Sequence, residues 1–401
     1  MRYLIAGNGP AAVNAVRAIR SLGDTGEIVM VSPEDNEPYS RITVPEYMAG
    51  EIDEGGMLFA PGFYSEYGVR TKLARSVVKL FPDKHIAVLS SGEEIVYDKL
   101  LLATGARPYV PDWADMSLRG MFTLWNKSDA EEVKPCMEPG ANAVIAGAGL
   151  VAFQAARALS SFGMKVTLVA RRFIMSRQLD AHAAEMLRAA AEEHGVRILL
   201  HTSVTRLLSD GGAVTGVELS NGETIASRCV LACMGTKPNL GMLDGLLEYD
   251  GGVDVDDHMH TALPDVYAAG DIVRARMASG GRAVRAIWPN AVAQGRIAGL
   301  NMAGHPELWD GSRAMNSIEL FGLSFISAGE TEPAEGEREI MLSCKERDYR
   351  KIITDGTGTV RGVTFAGAVR EAGIFAAKVG MSASGGFMGS LPELSPELIR
   401  E

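Results

Sequence analysis

The chain carries one glycine fingerprint twice, at Gly7-Asn8-Gly9-Pro10-Ala11-Ala12 and again at Gly147-Ala148-Gly149-Leu150-Val151-Ala152. Each copy follows a short apolar run, Tyr3-Leu4-Ile5-Ala6 or Ala143-Val144-Ile145-Ala146, and precedes an alanine-rich stretch. In such a turn the first glycine permits the tight passage from strand to helix. The second lets backbone amides approach a pyrophosphate seated on the positive end of that helix. Alanine takes the third glycine position in both copies, a methyl-sized change in helix-to-strand packing that the fingerprint admits. Apolar residues at Val13, Val16 and Ile19, and at Ala155, Ala158, Leu159 and Phe162, keep the three-to-four spacing of one buried helical face. A lone fingerprint is weak evidence, because glycine-rich turns are common in α/β proteins. The duplication predicts two dinucleotide folds, and so two bound dinucleotides, in one chain.

A length of 401 residues exceeds one core and suits two or three domains. The balance of 39 basic and 50 acidic residues, net −11, argues against general binding to nucleic acid or an anionic membrane. Cys136, Cys229, Cys233 and Cys344 are too few and too scattered for a disulfide framework, which points to a reducing compartment. Cys229 and Cys233 sit in an apolar run and read as strand residues rather than a redox or metal pair. No metal site is expected. The first strand begins at residue 2, leaving no room for a cleavable leader, and no apolar run reaches the roughly 18 residues of a membrane span. The expected location is therefore cytoplasmic.

After the first helix comes the strand Glu27-Ile28-Val29-Met30-Val31-Ser32. Glu34 is the nearest acid at the distance where a carboxylate binds the ribose hydroxyls, with Asp35 the fallback. A later strand ends in Leu101-Leu102-Ala103-Thr104-Gly105-Ala106-Arg107-Pro108. The second fold runs to about Asn239, and the chain returns to the first domain through Pro264-Asp265-Val266-Tyr267-Ala268-Ala269-Gly270-Asp271.

Ala103-Thr104-Gly105 and Tyr267-Ala268-Ala269-Gly270-Asp271, placed around an inserted second nucleotide fold, resemble the FAD-dependent pyridine nucleotide disulfide oxidoreductase superfamily. Pro38-Tyr39-Ser40-Arg41, Arg177-Gln178-Leu179-Asp180 and Trp288-Pro289-Asn290-Ala291-Val292-Ala293-Gln294-Gly295-Arg296 resemble its branch of rubredoxin reductases and the flavoprotein region of nitrite reductase large subunits. The resemblance implies an α/β fold with two Rossmann-like domains and a small α+β C-terminal domain. Its division is an FAD domain at 1–112 and 240–312, an NAD(P) domain at 113–239, a C-terminal interface domain at 313–380 that could form a homodimer, and a tail at 381–401.

It also implies site residues. Gly7, Gly9, Pro10, Ala11 and Ala12 would hold the FAD pyrophosphate, Glu34 its ribose, and Arg41 the pyrophosphate and flavin edge. Val77, Ala103, Thr104, Gly105, Arg107 and Gly270 would pack near the cofactor, and Asp271 would bond the ribityl and phosphate region. Trp288 would open a helix whose N-terminus faces the flavin, with Pro289 suited to the first turn. Reduced flavin gains negative charge, which a helix N-terminus stabilises by roughly 0.3–2 kcal/mol. Gly147, Gly149, Leu150, Val151, Ala152 and Gly235 would serve the nicotinamide nucleotide.

Three departures from the family pattern sharpen the reading. The stretch Arg41-Ile42-Thr43-Val44-Pro45-Glu46 has no redox cysteine, so electrons must leave from the flavin directly, to a rubredoxin- or ferredoxin-like iron-sulfur carrier. Where relatives pair a Lys with a Glu beside the flavin, this chain has Pro45-Glu46 and Gln154, and Gln154 is the candidate neutral residue on the flavin N5 side. After Val166-Thr167-Leu168-Val169, where NAD users place an acid, stand Ala170, Arg171, Arg172 and then Arg177. An acid there would repel a 2′-phosphate that arginine can bind, so the reading leans to NADPH over NADH. A basic stretch, Arg274, Arg276, Arg282 and Arg285, could steer an acidic carrier. The resulting reading is an FAD-dependent NAD(P)H oxidoreductase. The alternatives are an electron-transfer subunit of a larger metalloenzyme complex and, outside enzymes, a flavin-loaded nucleotide-sensing module.

Overall fold

The structure is a computed structural model describing residues 1–380; the tail proposed at 381–401 lies outside the described residues. Packing divides the chain into two units.

The first comprises Met1–Thr43, Ile52–Arg107 and Thr236–Arg313. Its centre is a parallel sheet in the order Val266–Ala268, Lys99–Leu102, Arg2–Ala6, Glu27–Val31, Val69–Lys72. Tyr3, Leu4 and Ile5 are fully buried, which explains why the strand before the first fingerprint is apolar on both faces. Two helices cover it, Pro10–Ser21 and Trp288–Met302. They meet with almost no side chain between them. A β-carbon on Gly295 would lie 2.1 Å from the carbonyl oxygen of Ala11, and one on Gly299 would lie 2.4 Å from that of Ala15. A three-stranded antiparallel meander, Val77–Phe81, Ile86–Leu89 and Glu94–Val96, precedes the Lys99–Leu102 strand.

The second unit comprises Val44–Glu51, Pro108–Gly235 and the chain from Ala314 onward. Its parallel sheet repeats the plan, in the order Arg197–Leu200, Lys165–Ala170, Asn142–Ala146, Cys229–Ala232, Met121–Phe122. The repetition includes the meander, here Val204–Asp210, Ala213–Leu219 and Thr224–Ala226, leading into Cys229–Ala232. Helices Leu150–Ser161 and Ala181–Glu193 follow the Asn142–Ala146 and Lys165–Ala170 strands. Cys229 begins a strand as expected, whereas Cys233 falls just past its end; both are buried. The unit also contains an antiparallel five-stranded sheet in the order Met315–Leu320, Leu323–Gly329, Val360–Gly367, Asp348–Thr354, Arg338–Lys345, with its own core around Phe365 and Phe375. The α/β class with two Rossmann-like folds and a C-terminal α+β part is therefore the observed one. No helix among the described residues is long and apolar enough to cross a membrane.

Candidate cofactor sites

In the first unit the Gly7 turn is held by the Gly7 amide on the Val31 carbonyl at 2.8 Å and the Ala103 amide on the Ala6 carbonyl at 2.8 Å. Gly7 has φ +135°, and a β-carbon there would stand 2.1 Å from the Ala103 carbonyl oxygen, so no other residue fits. Gly9 differs: a β-carbon on it would meet no protein atom within 4 Å. Protein packing does not explain that glycine, whereas a ligand approaching the helix end would.

The helix starts support this. The Pro10, Leu150 and Trp288 helices have no side-chain cap, while Asn126 caps the Lys127–Val133 helix and Asp180 caps the Ala181–Glu193 helix. First-turn N–H groups lack intrahelical acceptors and carry the positive end of the helix dipole. Among the described helices of seven residues or more, these three uncapped starts are the three that the family resemblance aims at cofactors.

Other expected residues gather around the same turn. A β-carbon on Gly270 would lie 3.3 Å from that of Ala11, and the Gly270 amide donates to Gln294 Oε1 at 2.9 Å. Asp271 makes no hydrogen bond among the described residues; burial pushes its carboxyl above the ordinary aspartate range, opposed by the Arg41 charge. A half-buried acceptor left open in this way fits the hydroxyls of an FAD ribityl chain. Glu34 is ion-paired with Arg41 and accepts from Tyr39 Oη, so two expected contacts to the cofactor are also contacts to each other. Trp288 packs edge-on against Phe59 with ring centroids 5.3 Å apart.

Thr104, Gly105 and Arg107 converge on Asn239. Thr104 Oγ1 donates to the Asn239 carbonyl at 3.0 Å, the Asn239 amide to the Gly105 carbonyl at 2.9 Å, and Arg107 Nη1 to Asn239 Oδ1 at 3.1 Å. They brace the point where the returning chain rejoins the first. Val77 is a core residue of the meander, paired with Leu89.

Sequence reasoning gave no individual role to Asn8, Asn290, Gln294 and Tyr64. Asn8 Nδ2 donates to the Asn36 carbonyl at 2.9 Å and its Oδ1 accepts from Tyr64 Oη at 2.9 Å, which fixes the fingerprint's second residue. Asn290, buried in the Trp288 helix, donates to the Arg285 and Arg313 carbonyls. The visible signal was Asn290 and Gln294, amides four residues apart on one face of the helix.

Three of the four arginines of the basic stretch are bonded within the first unit. Arg274 pairs with Asp254 at 2.7 Å, Arg276 with Asp257 at 2.9 Å, and Arg282 bonds the Val255 carbonyl. The neutralising acids come from residues 254–257, distant in sequence and adjacent in the fold. Among the described residues Arg285 makes no side-chain bond.

In the second unit the turn is rebuilt almost atom for atom. The Gly147 amide bonds the Val169 carbonyl at 2.9 Å, and the Cys233 amide bonds the Ala146 carbonyl at 2.8 Å. Gly147 has φ +130°, and a β-carbon on it would stand 2.1 Å from the Cys233 carbonyl oxygen; one on Gly149 would meet nothing within 4 Å. Gly235, at φ +98°, occupies the place that Gly105 holds in the first fold, each preceding a short strand, Thr236–Pro238 or Ala106–Pro108. Leu150, Val151 and Ala152 form the helix's first turn. Ala170 ends its strand buried, and Arg171, Arg172 and Arg177 are exposed on the loop beyond it, with no ion pair among the described residues. Gln154 lies half-buried one turn into the Leu150–Ser161 helix. One turn further, Arg157 bonds Glu51 at 2.9 Å and Glu46 at 3.3 Å. The helix Val44–Ala49 is thus joined to this one by an ion pair after all, through a residue the motif comparison did not reach.

Residues 1–295 match the family model described as pyridine nucleotide-disulphide oxidoreductase. Subunit epsilon of the NADH-dependent phenylglyoxylate dehydrogenase of Aromatoleum evansii is 33% identical over 94% of this chain and 90% of its own length. The rubredoxin-NAD(+) reductase of Pseudomonas putida is 30% identical over 79% of this chain and 85% of its own. The solved structure of an engineered water-forming NADPH oxidase bound to NADPH superposes with TM-score 0.89 over 100% of this chain and 95% of that one, at 19% identity. The open glycines, uncapped helix starts and Asp271, without a hydrogen bond among the described residues, fit what these likenesses require: the chain belongs to the pyridine nucleotide-disulphide oxidoreductase family and is an FAD-dependent oxidoreductase that works with a nicotinamide nucleotide.

Proposed function

We propose that this protein is an NADPH-oxidising reductase that passes electrons from FAD to an iron-sulfur or rubredoxin-type protein. The observation that carries the reading is the placement of sulfur. Cys136, Cys229, Cys233 and Cys344 all belong to the second unit, and the first unit, with the FAD fingerprint, has no cysteine. FAD, when bound, accepts hydride from the nicotinamide and releases electrons one or two at a time. The chain's part is to hold and tune. The amides after Gly9 take the pyrophosphate, Asp271 accepts from the ribityl hydroxyls, and the Trp288 helix start stabilises negative charge on the ring. Arg41 and Glu34 fix one another so that each presents a set face to the cofactor. In the second unit the amides after Gly149 take the second pyrophosphate, and Gln154 serves as a neutral hydrogen-bonding residue for the reacting rings. The cytoplasmic location and the three-domain division belong to this proposal, although packing groups Val44–Glu51 and the antiparallel sheet with the second nucleotide fold.

NADPH is favoured on two grounds. Arg171, Arg172 and Arg177 make no ion pair among the described residues and share one loop, as a 2′-phosphate site requires. The engineered NADPH oxidase carries glycine to alanine, then eighteen residues on aspartate to alanine, alanine to arginine and methionine to serine in succession, and five residues later proline to arginine. Counted from Ala152, that spacing falls on Ala170, Arg171, Arg172 and Arg177 here, and four of the five residue types agree.

A second reading, the flavin subunit of a larger redox complex, is favoured by the likeness to the epsilon subunit of a dehydrogenase. Anaerobic stopped-flow mixing with NADH and NADPH separately, followed by oxidised rubredoxin or ferredoxin, tests both. Faster flavin bleaching with NADPH and recovery on adding the carrier supports the first. Bleaching without recovery supports the subunit reading, and no bleaching with either nucleotide overturns both.

A further inference from the structure

The arginines at issue lie between the strand Lys165–Ala170 and the helix Ala181–Glu193, on a loop with no regular structure. Its exposed residues are Arg171, Arg172, Phe173, Ser176 and Arg177, while Ile174, Met175, Leu179 and Asp180 are buried. The loop is therefore held from beneath, at two places. One is the fingerprint itself, where the Met175 amide donates to the Ala148 carbonyl at 2.8 Å with Met175 at φ +48°. The other is Asp180. Its Oδ1 accepts the Ala183 amide at 2.8 Å and caps the following helix. Its Oδ2 accepts both Tyr349 Oη and Lys351 Nζ, each at 2.8 Å.

Tyr349 and Lys351 come from the strand Asp348–Thr354 of the antiparallel sheet, not from the nucleotide fold. Asp180, Tyr349 and Lys351 are 2%, 2% and 3% exposed. Lys351 completes its bonding with the Thr331 carbonyl at 2.9 Å and Glu339 Oε1 at 3.0 Å. The His182 ring packs on Tyr349 at 4.4 Å between centroids. A buried ion pair repays its desolvation only with its other bonds made, and what it secures is direction rather than net stability. This one secures the direction of the Arg177-Gln178-Leu179-Asp180 segment.

We propose that Tyr349 and Lys351 are positioning residues for the arginine loop, so that recognition of the 2′-phosphate depends on the C-terminal sheet. Bidentate guanidinium contact to a phosphate is geometrically demanding, whereas the AMP half of the nucleotide is held by fingerprint amides that the Met175 anchor keeps in place. Loosening Asp180 shifts the arginines and spares the rest. The inference rests on the NADPH reading.

The test is calorimetric binding of adenosine 2′,5′-bisphosphate and of AMP to the full-length FAD-loaded protein, wild type and Tyr349→Phe, with flavin content and melting temperature recorded. Tyr349→Phe keeps the ring against His182 and the Lys351 pair, so the chain folds. The expected result is a loss of preference for the bisphosphate of about fivefold, roughly 1 kcal/mol, with AMP affinity and flavin content unchanged. An unchanged preference overturns the inference. Equal weakening of both ligands also overturns it, because a merely structural role predicts that pattern. A wild-type protein with no preference for the bisphosphate overturns the NADPH reading and this inference with it. As a second variant, Asp180→Asn retains the cap acceptor and weakens the hold of Lys351, and it must move the preference in the same direction.

Discussion

Gly7 lies against Ala103 so closely that a single added carbon would stand 2.1 Å from the Ala103 carbonyl oxygen. Gly147 stands in the same relation, at the same 2.1 Å, to Cys233. The first glycine of each fingerprint is thus required by the protein's own backbone, and the second, Gly9 or Gly149, only by what approaches it. Gly147→Ala is expected to destabilise the second unit by about 3 kcal/mol, through contact with backbone at positive φ, and to abolish nicotinamide nucleotide binding. Flavin absorbance retained after gel filtration, together with nucleotide binding, checks this: FAD stays and the second ligand is lost. Gly7→Ala should do the reverse.

Ala170→Asp places a carboxylate at the end of its strand, beside Arg171. It should raise KM for NADPH about tenfold or more, by repulsion of the 2′-phosphate, and lower it for NADH, with kcat little changed. Steady-state kinetics with both nucleotides reads the switch, and an unaltered ratio of kcat/KM values would contradict the proposed role of the loop.

Asp271 carries a pH dependence whose sign follows from burial. Its folded-state pKa is raised, whereas the unfolded chain ionises near 3.8. Between those values the folded protein holds a proton the unfolded chain has released, so stability of the flavin-free protein falls as pH rises through that window. Asp271→Asn removes the dependence, raising the melting temperature of flavin-free protein at neutral pH while weakening FAD binding. Melting curves of the flavin-free forms across the acid range and FAD titrations measure the two effects separately.

Burial pushes the Cys229 and Cys233 thiols up to about 12. A thiol reagent at pH 8 should label exposed Cys344 first and reach Cys229 and Cys233 only after denaturation. Because the unfolded thiols titrate near 9.0, stability falls as pH rises from about that value toward 12. Cys229→Ala should flatten part of that slope in alkaline denaturation curves.

Arg276, bonded to Asp257 and to the Trp309 carbonyl, holds two chain segments together. Arg276→Ala is expected to destabilise by about 1–3 kcal/mol, since hydrogen bonds to charged groups are lost. It should leave the salt dependence of carrier reduction unchanged. Arg285→Glu, at the position with no side-chain bond among the described residues, is the substitution that would alter that salt dependence.

Both nucleotide folds, their order and the class of the chain were legible in the sequence because they rest on local requirements. A strand buried on both faces must be apolar, and a turn where an added β-carbon would stand 2.1 Å from a carbonyl oxygen must be glycine. The cluster of arginines after Ala170, on which the NADPH proposal rests, is likewise a local feature of the sequence. Tertiary structure alone decided where charges are neutralised. Arg274 and Arg276 find Asp254 and Asp257, Arg157 finds Glu46 and Glu51, and Asp180 finds Lys351 across 171 residues of chain. Coulomb pairing depends on distance in space, and residues far apart in sequence approach one another only once the strands between them have chosen their order in the sheet.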